Sequence, residues 1–262
     1  MKTSRRVKEF LALSGLYRQI RRLSSFARSK EVAQARSRMA NLISSIVPPN
    51  SLIFDIGANV GTFAEVYAGV QCRVVAVEPN ADCARQIQLR YPDLPIQTLQ
   101  TAVGSRCGLA TLHVSNSWDA TSTLSTEWIE TMERWDNRYQ QNWNREDTVP
   151  ILTLDCLIAH FGQPYYIKID VEGYELEALQ GLSNQPPLLS FEFHNSYLQN
   201  AFKCLTLPVF SDDSVFNLVV NPAWGYHERF EKPEWISKEE LWNLVSSFTI
   251  GDVTGDIFVK LR

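Results

Sequence analysis

From residue 50 to the C-terminus, short runs rich in β-branched and aromatic residues alternate with stretches whose apolar residues recur at helical spacing. This alternation is typical of a parallel sheet flanked by helices, because each parallel pair of strands needs a long crossover connection. Lys238–Phe248 is predicted to be a helix, and an antiparallel edge strand is expected at the C-terminus. The predicted class is α/β, with a mostly parallel seven-stranded sheet and helices on both faces. The seven predicted strands are Leu52–Ile56, Arg73–Glu78, Ile96–Val103, Tyr165–Asp170, Leu188–His194, Val215–Val220 and Asp256–Leu261.

The first 49 residues differ in charge from the rest of the chain. Residues 1–49 contain 11 lysines and arginines but only two glutamates, whereas the remainder is acidic. Two amphipathic helices are predicted here, at residues 7–23 and at Ser29–Val47, the second ended by a Pro-Pro pair. This basic helical N-terminal extension either packs as a cap on the main domain, residues 50–262, or contacts a membrane surface or a protein partner.

The composition of the main domain limits its partners. Its excess of acidic residues disfavours a nucleic-acid surface, since phosphate binding needs clustered lysine and arginine. The chain has no apolar run of the roughly 20 residues that a transmembrane helix needs, and no secretory signal pattern. A cytoplasmic protein is therefore expected, with a small molecule as its partner. The oligomeric state stays open, with a homodimer among the alternatives.

Cysteine and histidine are too dispersed to indicate a metal centre. The five cysteines include no C-x-x-C pair, and the four histidines form no H-E-x-x-H motif. The cysteines are expected to be reduced and buried. No metal site is predicted, and any cation would have to be held mainly by oxygen ligands.

A glycine-containing turn follows the first predicted strand. Asp55, Gly57, Asn59 and Gly61 occupy the point where that strand ends and a helix begins, and glycine there allows a sharp turn and close approach to a ligand. The spacing is not the G-x-G-x-x-G of dinucleotide-binding proteins. Glu78 ends the next strand, where its carboxylate could accept hydrogen bonds from both hydroxyls of a ribose. An adenosine-containing ligand is therefore predicted.

These two segments and a third one together resemble a known class of enzyme. DIGANVG at residues 55–61 and VAVEPN at residues 75–80 resemble the first motif and its acidic partner in class I S-adenosylmethionine-dependent methyltransferases. IKIDVEGYE at residues 167–175 resembles the signature of the FkbM family within that class. The resemblance covers residues 52–195. It implies a Rossmann-like fold and S-adenosyl-L-methionine as the cofactor.

The resemblance also implies a methyl donor bound over the carboxyl ends of the first three strands. Asp55 is expected to orient the turn and the amino group of the methionine moiety, and Glu78 to hold the ribose. Ala102 and Val103 are expected to border the adenine. The implied donor-binding residues are Asp55, Gly57, Asn59, Gly61, Glu78, Ala102 and Val103.

Asp170, Glu172, Glu192 and His194 are expected to converge at the ends of the fourth and fifth predicted strands. Asp170, Glu192 and His194 are the candidate catalytic residues among them. Transfer to a hydroxyl needs a base that removes its proton, and His194 is the predicted base because an unperturbed histidine has a pKa of about 6.5. Alternation along the strand places Glu192 and His194 on one face. Two alternatives stay open: His194 is only hydrogen-bonded to a carboxylate, or the three residues bind a divalent cation.

Residues 116–148 form a polar, tryptophan-rich segment with Trp128, Met132 and Trp135 at helical spacing. It is expected to be a variable insertion that acts either as packed structure or as a lid over the acceptor. The predicted activity is O-methylation of a hydroxyl on a sugar or a secondary metabolite. The alternatives are an N-methyltransferase of the same fold and a non-catalytic donor-binding module that docks through its basic helices.

Overall fold

The structure is a computed structural model that describes residues 16–115, 122–135, 143–220, 227, 229–248 and 253–262. These residues form ten strands: β1 Leu52–Ile56, β2 Arg73–Val77, β3 Ile96–Leu99, β4 Ala102–Val103, β5 Gly108–Ser115, β6 Trp143–Leu152, β7 Tyr166–Ile169, β8 Leu188–His194, β9 Ser214–Val220 and β10 Thr254–Leu261. They also form eight α-helices: α1 Leu16–Ile46, α2 Thr62–Gly69, α3 Ala81–Arg90, α4 Thr126–Trp135, α5 Leu154–Phe161, α6 Glu175–Gln180, α7 Leu198–Leu205 and α8 Lys238–Ser246.

Seven strands form one sheet in the order β3-β2-β1-β7-β8-β10-β9. The pairs β1–β2, β2–β3, β1–β7 and β7–β8 are parallel, whereas β10 is antiparallel to both β8 and β9. The prediction of an α/β fold with a mostly parallel seven-stranded sheet is therefore confirmed. The expectation of an antiparallel edge strand is wrong in its position, because β10 lies inside the sheet and β9 forms the edge. Successive residues Ile257, Phe258 and Val259 are fully buried, as suits a strand covered on both faces.

A second, three-stranded sheet has the order β4-β6-β5. The single strand predicted at residues 96–103 is therefore wrong: the chain leaves the main sheet after Leu99 and enters the second sheet at Ala102. Val103 pairs in parallel with Leu152, and the Thr101 hydroxyl donates to the Pro150 carbonyl at 2.9 Å. The predicted insertion at residues 116–148 is also too long, because residues 143–148 belong to β6.

The N-terminal extension contains one continuous helix rather than two, since α1 runs from Leu16 to Ile46 without a break. The part of the first predicted helix before Leu16 lies outside the described residues. Ala35, Met39 and Ile43 of α1 are fully buried against the main domain, and Arg36 pairs with Glu65 of α2 at 2.8 Å. The C-terminal half of α1 is therefore a packed cap.

Both faces of the large sheet are covered by apolar cores. Helices α5 to α8 pack on one face, and α1 to α3 pack on the other. On the second face, the buried side chains of Asp55 and Lys168 interrupt the apolar surface at paired positions of β1 and β7. The parallel strands direct their carboxyl ends to one edge, which is where the candidate site lies. Among the described helices, none is long and apolar enough to cross a membrane.

The cysteines divide into two groups. Cys72, Cys83 and Cys204 are buried, as predicted. The prediction of buried thiols is wrong for Cys107 and Cys156, which are exposed. The reason is their position, since Cys107 lies in the turn before β5 and Cys156 lies in the first turn of α5.

Candidate active site

A cavity of about 340 Å³ opens at the carboxyl ends of β1, β2 and β7. This edge is where ligands bind in open parallel sheets, and the volume is in the range of small-molecule sites. The predicted donor-binding residues that line it are Gly57, Asn59, Glu78, Ala102 and Val103. Glu172, which the sequence places at this site, also lines the cavity. Further lining residues that the sequence did not single out are Thr62, Phe63, Ser122, Leu124 and Tyr174.

Gly57 lies where β1 turns away from the sheet. Its φ is +80°, and a Cβ atom built on it would lie 1.7 Å from the carbonyl oxygen of Asp170. Only glycine fits this position, because both the left-handed backbone and the contact exclude a side chain. Gly57 therefore lets the ends of β1 and β7 approach each other beside the cavity.

Gly61 was predicted to be a donor-binding residue, but the structure places it at the start of α2. It is the N-cap of α2 with φ +84°, and it is not among the described residues that line the cavity. A Cβ atom there would lie 3.0 Å from the Tyr91 ring and 3.1 Å from the Ile87 side chain. Gly61 thus shapes the start of α2 and its packing, and the first helical residues Thr62 and Phe63 reach the cavity.

Glu78 follows β2 and lines the cavity with only 6% of its surface exposed. Its two carboxylate oxygens accept the backbone N–H groups of Asn59 and Asn80, each at 2.8 Å. Burial raises the pKa of Glu78 to about 7, against the two backbone hydrogen bonds, which lower it. Each oxygen of the fixed carboxylate keeps a further acceptor position that faces no backbone donor of the described residues.

Asp55 is fully buried within β1 and is not among the described residues that line the cavity. Burial raises its pKa to about 6, while Lys168 on the neighbouring strand lowers it. The structure therefore places this carboxylate inside the sheet, next to the turn that borders the cavity. The sequence could not show this, because a strand residue before a turn can face either the ligand or the core.

Three carboxylates converge at the other end of the cavity. Oxygen atoms of Asp170, Glu172 and Glu192 all lie within 4.8 Å of one another. Three of the four residues expected to converge here therefore do so, whereas His194 is not part of this group of described residues. The backbone of Glu172 is left-handed, with φ +54°. It lies in the turn between β7 and α6, close to Asp170 in the chain.

The electrostatics of this carboxylate cluster favour an incoming cation or a bound proton. Burial raises the pKa of Glu172 and of Glu192 well above the ordinary range, and the neighbouring Asp170 carboxylate raises both further. An oxygen-donor set with this spacing could also accept a divalent cation. A sulfonium ion is a cation too, so the cluster suits a positively charged methyl donor.

Lys168 supplies the buried positive charge beside the cluster. Its ammonium lies 2.6 Å from a carboxylate oxygen of Asp170 and 4.2 Å from the centre of the Phe63 ring. Burial alone lowers the pKa of Lys168, but the carboxylates of Asp170, Asp256 and Asp55 outweigh it and raise the pKa above the ordinary value. Lys168 therefore stays charged and holds Asp170 in the cavity wall.

Glu175 braces the loop that carries the cluster. One of its oxygens accepts the backbone N–H groups of Val171 and Gly173 at 3.2 and 3.1 Å, and the other accepts the side-chain amide of Asn200 at 3.0 Å. Burial raises the pKa of Glu175 to about 7. Its position in the IKIDVEGYE segment was the signal that sequence reasoning could have used.

His194 is not among the described residues that line the cavity; it borders a separate pocket of about 10 Å³. Glu192 lines both spaces. The Nδ1 atom of His194 accepts the backbone N–H of Ser196 at 3.1 Å, and the ring packs edge-on against Trp128. In a neutral ring the proton is then on Nε2. The structure thus does not bring the imidazole into the cavity together with Asp170.

The segment before α4 forms one wall of the cavity through Ser122 and Leu124. It is fixed to the cluster loop because the Thr123 hydroxyl donates to the carbonyl of Glu172 at 2.7 Å. Trp128 is buried directly over Gly173, whose missing side chain makes room for it. Met132 is buried as well, so these two residues are packed structure; the side chain of Trp135 lies outside the described residues.

A Rossmann-like sheet in this order, with a carboxylate after β2 and a cavity across the ends of β1, β2 and β7, defines a class I S-adenosylmethionine-dependent methyltransferase. Residues 55–210 match the model of the methyltransferase FkbM domain. The chain therefore belongs to the FkbM methyltransferase family, whose methyl donor is S-adenosylmethionine.

The comparisons with individual proteins are weaker. The chain is 24% identical over 144 residues to the hexuronic acid methyltransferase AglP of Haloferax volcanii, a match that covers 54% of each chain. It thus spans about half the length of this relative. A precorrin-6y C5,15-methyltransferase from Geobacter metallireducens is 10% identical with a TM-score of 0.42, over 88% of this chain and 87% of that one. The plantazolicin methyltransferase BpumL, solved with SAH, is 11% identical with a TM-score of 0.40, over 92% and 90%.

Proposed function

We propose that the protein transfers a methyl group from S-adenosylmethionine to a hydroxyl group of a small acceptor, a sugar or a secondary metabolite. The main support for this proposal is a single described cavity whose two ends carry different kinds of side chain. One end has a buried carboxylate and small side chains, at Glu78, Ala102 and Val103, and the other has the cluster of Asp170, Glu172 and Glu192. The hexuronic acid named for AglP supports a sugar as the acceptor.

At the donor end, Glu78 would accept the ribose hydroxyls while Ala102 and Val103 border the adenine. The methionine carboxylate would lie at the N-terminus of α2, where Asn59, Thr62 and Phe63 line the cavity. A helix N-terminus favours an anion there, because its backbone N–H groups lack partners within the helix. Asp55 would act from its buried position in β1, beside the charge of Lys168, by orienting the turn that follows the strand.

At the other end, the chain has two tasks: to place the acceptor hydroxyl in line with the methyl group and to take up its proton. When bound, S-adenosylmethionine supplies a methyl carbon attached to a positive sulfur. A carboxylate with a raised pKa binds a proton more strongly than an ordinary carboxylate does, which favours Glu192 or Glu172 for the proton. His194 is then a second candidate, and it would act through Glu192, the residue that borders both pockets.

A methyl-transfer assay tests the proposal. The purified chain is incubated with donor that carries a labelled methyl group and with a panel of hexuronic acids, neutral sugars and aromatic alcohols, each paired with its amine analogue. Label on oxygen supports the proposal. Label on nitrogen alone supports the N-methyltransferase, and donor binding without transfer to any acceptor supports a non-catalytic module. Tighter binding of NAD than of S-adenosylmethionine would overturn the assignment of the cavity.

A further inference from the structure

Two exposed thiols lie close together at the base of the second sheet. The Sγ atoms of Cys107 and Cys156 are 3.2 Å apart. The fold sets this proximity, because each cysteine follows by four residues one member of the pair Val103 and Leu152 in the parallel β4–β6 ladder. The turn that carries Cys107 and the first helical turn that carries Cys156 therefore start from the neighbouring ends of two paired strands.

The pair lacks the companions of a metal site. Among the described residues, the ligand groups spaced for a metal ion are those of Asp170, Glu172 and Glu192, and neither sulfur is part of such a set. Two sulfurs alone do not make the four-ligand site that zinc prefers. The chemistry that remains for two adjacent thiols is oxidation.

Cys156 is the more reactive member of the pair. It lies in the first turn of α5, whose partial positive charge favours a thiolate. Hydrogen bonds to the side chain of Thr153 and to Cys107 lower the pKa of the Cys156 thiol. Both thiols are exposed, so a small oxidant can reach them, whereas Cys72, Cys83 and Cys204 are buried.

We propose that Cys107 and Cys156 are a reversible oxidation site, which reacts with a low-molecular-weight disulfide such as oxidised glutathione to form an intramolecular disulfide. The Cys156 thiolate attacks one sulfur of glutathione disulfide, forms a mixed disulfide and releases one glutathione thiolate. The Cys107 sulfur then attacks the Cys156 sulfur and expels the second glutathione. Two protein thiols are thus oxidised by two electrons, glutathione disulfide is reduced, and the two thiol protons pass to the released glutathione molecules.

The disulfide would join two points that are 49 positions apart in the chain. The closed loop contains β5, α4 and β6 together with the cavity-wall residues Ser122 and Leu124. Because a cross-link restricts the unfolded chain more strongly when the loop is long, we expect the oxidised protein to be the more stable form.

Equilibration of the full chain with mixtures of reduced and oxidised glutathione tests the proposal. Free thiols are counted by alkylation and mass spectrometry after denaturation, and peptide mapping identifies any linked pair. We expect two of the five thiols to be lost with no glutathione retained, one linked peptide that joins Cys107 to Cys156, and a Tm higher by a few degrees. Dithiothreitol should restore all five thiols.

Two variants serve as controls. Cys156→Ser should abolish the linked peptide and the rise in Tm, and Cys72→Ala should keep both because that thiol is buried elsewhere. Five free thiols after equilibration with excess oxidised glutathione would overturn the proposal, and so would glutathione retained on each cysteine. A Cys107–Cys156 bond that joins two chains would overturn it as well.

Discussion

One carboxylate oxygen of Glu78 accepts the backbone N–H of Asn59 at 2.8 Å, and this hydrogen bond ties the end of β2 to the glycine turn after β1. The other oxygen accepts the N–H of Asn80 at the same distance. The side chain is therefore fixed before any ligand binds, and no binding energy is lost in ordering it.

Glu78→Ala is expected to weaken the binding of S-adenosylmethionine by roughly 10-fold to 100-fold, the loss typical of a charged hydrogen bond of about 1.5 to 3 kcal/mol. Isothermal titration calorimetry measures the affinity for S-adenosylmethionine. The matched control is Glu239→Ala, an exposed glutamate on α8, which should bind as the wild type does. Equal affinity in the two variants would contradict the role of Glu78.

Gly57→Ala should lower the free energy of unfolding by at least about 2 kcal/mol, since the new side chain combines a left-handed backbone with a collision. The collision is with the Asp170 carbonyl, 1.7 Å from the Cβ position. Gly69→Ala is the control, because no atom lies within 4 Å of a Cβ atom there. In urea denaturation, Gly57→Ala should lower the free energy of unfolding and Gly69→Ala should not. Equal stability of the two variants would refute the close approach of β1 and β7.

The stability of the protein should fall as the pH rises through the range from about 5 to 7. The pKa of Asp55 is raised to about 6, and those of Glu78 and Glu175 to about 7, whereas unfolded carboxyl groups titrate near 4. The folded state binds more protons in this window, so these groups stabilise it most below about pH 4. Glu175→Gln should flatten the decline by up to about 1 kcal/mol per pH unit. Denaturation of the wild type and the variant at several pH values measures this pH dependence. If Glu175→Gln leaves the dependence of stability on pH unchanged, the pKa of Glu175 is not raised.

Glu192→Gln and His194→Ala distinguish the two candidate bases. If Glu192 takes the proton, Glu192→Gln should lower turnover by about 100-fold to 10,000-fold with little change in donor affinity, and His194→Ala should have the smaller effect. The reverse order would restore His194 as the base. Inactivation of the wild type by a chelator, with recovery on added magnesium, would instead show a divalent cation on the cluster of Asp170, Glu172 and Glu192.

Met39→Ala should destabilise the fold by about 2 to 3 kcal/mol, because this side chain of α1 is fully buried and its loss leaves a cavity. Asn41→Ala, exposed on the same helix, is the control and should change stability by less than about 0.5 kcal/mol. Thermal unfolding compares them. Equal Tm values would show that α1 is an appendage and not a packed cap.

The periodic apolar runs after residue 50 determined the α/β class, and the motifs at residues 55–61, 75–80 and 167–175 indicated the methyltransferase class. These features depend on neighbours along the chain, which a sequence displays directly. Five of the residues that the sequence singled out line the cavity: Gly57, Asn59, Glu78, Ala102 and Val103.

Only the tertiary structure shows which residues from different strands lie next to each other. The separation of His194 from the cluster of Asp170, Glu172 and Glu192 depends on how β8 lies relative to the turn after β7. The second sheet depends on the pairing of β4 with β6, although some 40 residues separate them in the chain. The burial of Asp55 opposite Lys168 depends on the pairing of β1 with β7. In each case the deciding partner is distant in sequence, and its position is set by strand register and packing.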